Sequence, residues 1–349
     1  MEQKTKATII IPTVGRPCLL QTLQSLAQNP DFQQVEVIVV GEIHDAAVAG
    51  ALQDLQAAKG HIRHLPLSFS AGDSSAKKNA GWRAAATEVV AFLDDDVIVP
   101  PGWITAMTAA FSDPAVSLAS GPARPPENIT RISRLTALAL ASAASGYVAR
   151  RYGGGRAAPG RARWSDIIGC NMAWRRNLLE QIGGFDIKFW PGEEMLAAFR
   201  AQQLGRRLWL VPQAWLWHLP RPTLSSFCRQ MTGYGATRIR LIRNGVEIEP
   251  GTLAPAALLA LAPPLLIAAA LCRAAALLLA LGALAYALFM IWSAVGVFLR
   301  TRRLGDLLTA GAIPCMHMSY GWGQWRELLH PDRDLSLPLR HGKPNASAP

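Results

Sequence analysis

Short apolar runs alternate along the first hundred residues with stretches in which apolar side chains recur every three or four positions. Residues 7–12 (ATIIIP) form an unbroken apolar run, rich in β-branched residues and closed by proline, which predicts a buried strand. Leu19, Leu20, Leu23 and Leu26 then repeat at helical spacing just after Pro17, a residue suited to the first turn of a helix. A second apolar strand is expected at 35–40 (VEVIVV), a helix near 45–58, a weaker strand at 61–65, a helix over 75–86 and a further strand at 88–93 (EVVAFL). Strands apolar on both faces, alternating with helices, predict an α/β fold whose mostly parallel sheet carries helices on both faces. Ligands of such sheets bind beyond the carboxyl ends of the strands. Thr13, Gly41-Glu42 and Asp94-Asp95-Asp96 stand at those ends.

The pattern changes after residue 124. A helix is expected over 131–148, whereas 150–163 (RRYGGGRAAPGRAR) is glycine-rich, basic and proline-containing, and reads as a mobile loop. Order is expected again from Asp166 to Arg176, then a helix near 177–182 and strands near 207–211 and 214–218. Further on, periodicity gives way to continuous apolarity: 253–272 and 274–299 are interrupted only by Arg273. At 1.5 Å per residue each run can cross a hydrocarbon core of roughly 30 Å. Arg238, Arg240 and Arg243 precede the pair and Arg300, Arg302 and Arg303 follow it, so both ends are expected in the cytoplasm with Arg273 at the far-side turn. Residues 304–325 are moderately apolar and read as either a third span or an interfacial helix, and 326–349 as a polar tail. The resulting plan is a domain over 1–245 and a transmembrane hairpin within 246–303.

Net charge sharpens this picture. The formal value is +11, and its excess is local. Between Arg124 and Arg163 eight arginines face one acid, Glu127, and from Arg221 to Arg243 five more face none. Such patches suit phosphates or anionic headgroups; with a membrane segment beside them, nucleic acid is not an expected partner. The five cysteines (18, 170, 228, 272, 315) show no paired or metal-ligand spacing, which indicates a reducing compartment. The N-terminal MEQKTKATIIIPTVG lacks the features of a signal peptide. The expected location is a bacterial-type cytoplasmic membrane, multi-pass, with the N-terminal domain in the cytoplasm.

Three constellations carry candidate chemistry. In FLDDDVIVPPGW, three carboxylates directly follow a strand and repel one another unless a cation sits among them; hard oxygen donors there suit Mg²⁺ or Mn²⁺. An exposed acidic turn is the plain alternative. Glu193 and Glu194 follow Gly192 at an expected helix start, where either can be a dipole partner or a general base. His218, in WLWHLPRPT, is a candidate metal or phosphate ligand, and Arg221, Arg229 and Gln230 beyond it can clamp phosphate oxygens. No Walker A loop, no GxGxxG after the first strand, no HExxH and no GxSxG is present, which removes the main support for NTPase, dehydrogenase, metalloprotease and serine hydrolase readings.

Taken in order, these segments resemble a family 2 inverting glycosyltransferase with the GT-A fold, over roughly Thr5 to Gly245. TIIIPTVGRPCLLQTLQSL resembles the family's opening strand and helix, and AKKNAGWRAAATEVVAFLDDDV its nucleotide segment ending in the DXD motif. GCNMAWRRNLLEQIGGFD resembles the acceptor-side segment, and GEEMLAAFRAQQLG the stretch with the catalytic acid. HLPRPTLSSFCRQMTGYGATR, the apolar pair and PCMHMSYGWGQWREL resemble a membrane-attached subgroup that includes a succinoglycan transferase. The resemblance implies a Rossmann-like α/β fold and a nucleotide-diphosphate sugar donor. It places Pro12 and Thr13 at the base, Glu42 at base or ribose, Lys77 and Asn79 along the nucleotide, and Asp95 within the motif. Asp94 would lie nearer the ribose and share the metal with Asp96, with His218 in support, and Glu194 would activate the acceptor hydroxyl. Glutamate at 42 and 194 departs from the family's usual aspartate by one methylene each. The implied acceptor is a lipid-linked glycan. A polyisoprenyl-phosphate monosaccharide synthase and a catalytically silent membrane scaffold are the alternatives.

Overall fold

The computed structural model describes residues 5–68, 73–153 and 158–331. These divide into two compact units: one comprises residues up to Pro126 and those from 158 to Leu219, the other 127–153 and 220–331. The boundary expected near 245 therefore falls earlier, and helix Leu224–Arg243 groups with the apolar C-terminal helices.

The first unit is built on strands β1 (Ala7–Pro12), β2 (Val35–Val40), β3 (Ile62–Leu65), β4 (Val89–Leu93), β5 (Val97–Ile98), β6 (Val116–Ser120), β7 (Ala123–Arg124), β8 (Gly160–Arg161), β9 (Asn171–Arg175), β10 (Arg207–Leu210) and β11 (Leu216–His218). Its helices are α1 (Cys18–Ala27), α2 (Ala46–Ala58), α3 (Ser74–Ala84), α4 (Trp103–Ala109), α6 (Arg176–Ile182) and α7 (Glu193–Gln203). Among the described residues an eight-stranded sheet runs β3-β2-β1-β4-β9-β6-β10-β8, and a small sheet runs β5-β11-β7. β1 is parallel to β2 and β4, as the apolar runs require, since strands buried on both faces cannot alternate with polar residues. β9 enters antiparallel to both β4 and β6, so the sheet is mixed rather than uniformly parallel. Caps begin the helices where sequence chemistry supplies them: Asp45 accepts from the Ala47 and Val48 amides, and Asp73 from that of Ala76. β6 and α4 lie outside the elements expected above. β6 (VSLAS) hides its polar pattern by burying it, with the Ser120 hydroxyl donating to the Asn171 carbonyl at 2.8 Å.

The second unit contains α5 (Arg131–Leu140), α8 (Leu224–Arg243), α9 (Ala254–Leu271), α10 (Arg273–Thr301) and α11 (Thr309–Leu329). The expected 131–148 helix breaks after α5, and a 3-10 segment over Ala143–Tyr152 continues at 99° to it. The loop expected over 150–163 thus begins inside that segment and ends in β8, while 154–157 lie outside the described residues. Two described helical stretches, Pro250–Leu271 and Arg273–Thr301, are long and apolar enough to cross a membrane, or three if the bent pair counts as one. α11 is not among them. It packs on α8 through close backbone approach: a Cβ on Gly235 would lie 1.9 Å from the Tyr320 carbonyl, and one on Gly323 would lie 2.0 Å from that of Thr232. The tail expected over 326–349 lies outside the described residues from 332 onward.

Candidate active site

The site forms where β1, β4 and β11 end and α7 begins, all within the first unit. Pairing sets its frame. His218 lies opposite Val97 in the β11–β5 ladder, and the Leu219 amide donates to the Asp96 carbonyl at 3.2 Å. The imidazole Nε2 therefore stands 3.4 Å from Asp96 Oδ1. Asp94, Cys170 and His218 each present one donor atom, all within 4.8 Å of one another. Among the described residues this is the one such grouping of potential metal ligands.

Asp95 points differently. It is buried, accepts from the Thr13 hydroxyl at 2.7 Å and is in close contact with the Arg16 guanidinium. Arg16 also reaches Asp96 Oδ2 at 3.2 Å. Thr13 in turn accepts from the Gly15 amide at 3.0 Å, and its carbonyl accepts from the Lys77 ammonium at 2.8 Å.

The acidic pair at α7 splits in the same way. Gly192, with φ of 103°, turns the chain into the helix in a conformation that a side chain disfavours. Glu193 is buried, accepts from Lys78 Nζ at 2.8 Å and from the Gly192 amide at 3.1 Å. Glu194 is only partly buried. Its carboxyl converges with Lys78 beside Gly169, where an added Cβ would lie 3.5 Å from the Glu194 carboxyl carbon and 3.4 Å from Lys78 Nζ.

Charge is unevenly compensated here. Burial raises the Asp94 pKa; Lys78 and His218 oppose the rise, while Asp96 and Asp95 add to it. Burial works against the Lys78 ammonium, yet Glu193, Asp94 and Glu194 together carry its pKa upward, so it stays charged. Lys77 shifts down, burial outweighing Asp95, Asp73 and Glu42. The Cys170 thiol is driven well up by burial and by Asp94 and Asp96, which keeps it protonated.

Residues 5–237 match the model of the family described as glycosyltransferase like family 2. This chain belongs to glycosyltransferase family 2. A pre-mycofactocin glycosyltransferase of Mycobacterium tuberculosis is 26% identical over 256 residues, covering 72% of this chain and 51% of that protein. A GalNAc(5)-diNAcBac-PP-undecaprenol beta-1,3-glucosyltransferase of Campylobacter jejuni is 34% identical over 92 residues, covering 26% of this chain and 29% of its own. The chain thus spans about half the length of the mycobacterial relative it matches. A mannosyltransferase from Pyrobaculum calidifontis, solved with GDP-Man and Mn²⁺, superposes with a TM-score of 0.61 at 20% identity, over 88% of this chain and 86% of that one. The fold is GT-A-like.

In this family 2 chain the residues singled out from sequence separate by position. Asp94, Asp96, His218 and Glu194 gather around the strand ends, and Thr13, Asp95 and Lys77 tie the adjoining backbone together. Pro12 closes β1 opposite Val40, and Glu42 lies at the neighbouring strand end, half-exposed, 3.3 Å from His44 Nε2. The Asn79 amide donates to the Phe185 carbonyl at 2.7 Å and accepts from the Phe185 amide and the Trp82 indole, so it ties α3 to the loop before α7. Of the acidic pair, Glu193 is buried against the Lys78 ammonium, whereas Glu194 is partly buried. Arg221, Arg229 and Gln230 belong to the second unit, where the Arg221 carbonyl accepts from the Ser133 hydroxyl at 3.1 Å and Gln230 donates to the Tyr234 hydroxyl at 3.1 Å.

Sequence reading missed Arg16, Lys78 and Cys170. Arg16 lies just past the first strand end, where the ligand-binding rule already pointed. Lys78 is one helical step from Lys77 and so faces roughly 100° away, toward α7 rather than β1. Cys170 carries no spacing signal because its partners, Asp94 and His218, are distant in sequence.

Proposed function

We propose that this chain transfers a sugar from a nucleotide-diphosphate sugar to a hydroxyl of a lipid-linked glycan at the cytoplasmic face of a membrane, with inversion at the anomeric carbon. One observation carries the reading: Asp94, Asp96, His218 and a partly open Glu194 converge in a single cluster in which acids outnumber cations.

Carboxylate oxygens and one imidazole nitrogen form a hard-to-borderline donor set that suits Mn²⁺ and, less well, Mg²⁺. Asp94, Asp96 and His218 would hold the ion, and when bound it neutralises charge on the leaving diphosphate. Cys170, buried, adjoins that set.

The chain's own residues do the rest. Glu194 accepts the proton of the acceptor hydroxyl. The hydroxyl oxygen bonds to the anomeric carbon as the bond to the diphosphate oxygen breaks on the opposite face, and the nucleoside diphosphate departs with its electron pair. Thr13 and Lys77 fix the end of β1 beside the donor's base, and Glu42 lies at the neighbouring strand end for base or ribose. Arg16 contacts Asp95 and Asp96 and offsets part of their charge.

Attachment falls to the second unit. Leu261, Leu271 and Leu277 are 65%, 83% and 61% exposed, a surface that favours lipid over water. With the helices broken at Cys272, the proposed topology has Arg273 on the far side and the clusters at Arg238–Arg243 and Arg300–Arg303 on the cytoplasmic side, as the positive-inside tendency favours. A lipid-linked acceptor fits this attachment, and the name of the Campylobacter relative specifies an undecaprenol-linked glycan for that protein.

The decisive experiment presents a panel of nucleotide sugars to membranes containing the full chain, with Mn²⁺ or Mg²⁺, and measures nucleoside diphosphate release. Release from one donor, dependent on acceptor, is expected; silence across the panel overturns the reading. Cysteine labelling at 273 and 302 is expected from opposite sides, and labelling of both from the same side ends the hairpin topology.

A further inference from the structure

We propose that Lys78 and Glu193 are positioning residues of the transfer site: their buried ion pair locks the first turn of α7 and thereby sets where Glu194 stands relative to Asp94. The proposal rests on the transfer reading above. It adds a role for two residues that touch neither donor nor acceptor in that scheme.

The geometry is specific. The side chains of Lys78 and Glu193 are 3% and 4% exposed, and their charged atoms are 2.8 Å apart. Glu193 spends its second oxygen on the Gly192 amide at 3.1 Å. The Gly192 carbonyl in turn accepts from the Met195 and Leu196 amides at 3.0 and 3.2 Å. Lys78, the Gly192 elbow and the first turn of α7 therefore form one connected unit.

Lys78 itself is fixed from other sides. Its ammonium lies 5.8 Å from the centroid of the Phe185 ring, and Phe185 is clamped to α3 by Asn79. Lys78 and Glu194 both border Gly169, where an added Cβ would make ordinary contact with the Lys78 ammonium at 3.4 Å and the Glu194 carboxyl carbon at 3.5 Å. Lys78 also acts electrostatically on Asp94 and Glu194 together, so one cation is shared by three carboxylates from two elements. A buried pair in this position does more than stabilise. Buried ion pairs are commonly replaceable by apolar residues without loss of fold, which makes them weak stability devices and better geometric ones.

That property supplies the test. Lys78→Met/Glu193→Met removes both charges and is expected to fold, whereas Lys78→Met by itself leaves the Glu193 carboxylate buried without its cation. In the purified full chain, hydrogen exchange at the Met195 and Leu196 amides is expected to accelerate by at least about tenfold in the double variant, reporting local opening of that turn. Turnover, read as nucleoside diphosphate release, is expected to fall by about ten- to a hundredfold, the scale of a small misplacement of a reacting group. Donor KM should hold, because the donor is bound elsewhere. Glu193→Gln, which keeps an acceptor oxygen for Lys78, should lose less than the double variant. A folded double variant with unchanged turnover overturns the proposal, whether or not exchange rises. Unchanged exchange with reduced turnover also overturns it, since the pair would then act on the chemistry without holding the turn. If the wild-type chain releases no nucleoside diphosphate from any donor, the transfer reading fails and the catalytic half of the proposal fails with it, while exchange still decides whether the pair locks α7.

Discussion

The two units bury charge on opposite terms. In the second, each buried acid is matched or outnumbered by arginine: Asp306 takes Arg134 through two bonds of 2.8 and 2.6 Å, and Glu327 takes Arg240 at 3.1 Å and Arg243 at 3.0 Å. These pairs join elements far apart in sequence. In the first unit the acids win: Asp94, Asp95, Asp96, Glu193 and Glu194 face Lys77, Lys78, Arg16 and a histidine. Matched charge accounts for itself as structure. An acidic surplus at strand ends costs stability through repulsion and desolvation unless something cationic binds there, and so it marks where a ligand is expected.

The largest effect should come from the surplus. Asp96→Ala removes a proposed metal ligand and some like-charge repulsion together, so transfer should be abolished while the protein folds and inserts as well as wild type. Normal turnover of that variant at limiting Mn²⁺ would show that the metal assignment is wrong.

Next comes Glu194. A general base is worth about 10²–10⁴-fold in rate, whereas an acid in the first turn of a helix contributes only about 0.3–1 kcal/mol of stability. Glu194→Gln should therefore lower turnover by about a hundredfold or more with little change in melting temperature or donor affinity. Glu193→Gln should do less. An active Glu194→Gln beside a dead Glu193→Gln would shift the catalytic register by one residue. Activity in both would favour a phosphate acceptor, which is already anionic and requires no strong base, as in a polyisoprenyl-phosphate synthase.

Much of this contrast was legible in the sequence, and the unreadable part has a physical cause. The apolar strands, the triple aspartate and the two apolar runs are local patterns, and β1, β2 and the proposed hairpin lie where those patterns put them. Local patterns cannot say which of two adjacent residues faces a partner a hundred positions away. Lys77 and Lys78 look alike in sequence, as do Glu193 and Glu194, and packing of α3 against β1 and α7 is what separates them. The unit boundary near 219 was hidden because α8 is amphipathic and polar enough to read as part of a soluble domain, although its apolar residues Phe227 and Met231 join Ile313 and Met316 in the second unit's core.

Within the second unit, Asp306→Ala should cost about 2 kcal/mol or more, since the Arg134 guanidinium is left in a mostly buried place without its carboxylate. The hydrogen bonds from Arg134 hold the Asp306 pKa below its ordinary value. A carboxylate depressed in the fold contributes fully above its unfolded pKa and loses that contribution as pH falls through the lower folded value. Stability of this unit should therefore decline on acidification below the ordinary carboxylate range, and the decline should be shallower in Asp306→Ala. Equal acid sensitivity in the variant and the wild type would mean that the pair is not the source.

The smallest effect decides whether matching or burial makes the second unit's pairs matter. Arg207 and Asp113, in the first unit, are matched one to one at 2.6 Å, a distance equal to the shorter Arg134–Asp306 bond, yet their side chains are 35% and 46% exposed. Water screens such a pair and competes for both groups, so exposed ion pairs contribute only about 0.2–1 kcal/mol. Arg207→Gln should accordingly shift unfolding by less than about 1 kcal/mol, with the shift shrinking further at high salt. Asp306→Ala, by contrast, should keep most of its cost in the same salt, because its pair is largely shielded from the ions. Denaturant titrations of both variants at low and high ionic strength read the two cases side by side. If Arg207→Gln proves as costly and as salt-insensitive as Asp306→Ala, charge matching alone sets the energetics and burial does not distinguish the units. If the two separate as expected, the contrast between them comes from desolvation, and the strand ends, where buried acids outnumber the cations they share, remain the place where this chain has most to gain by binding a cation.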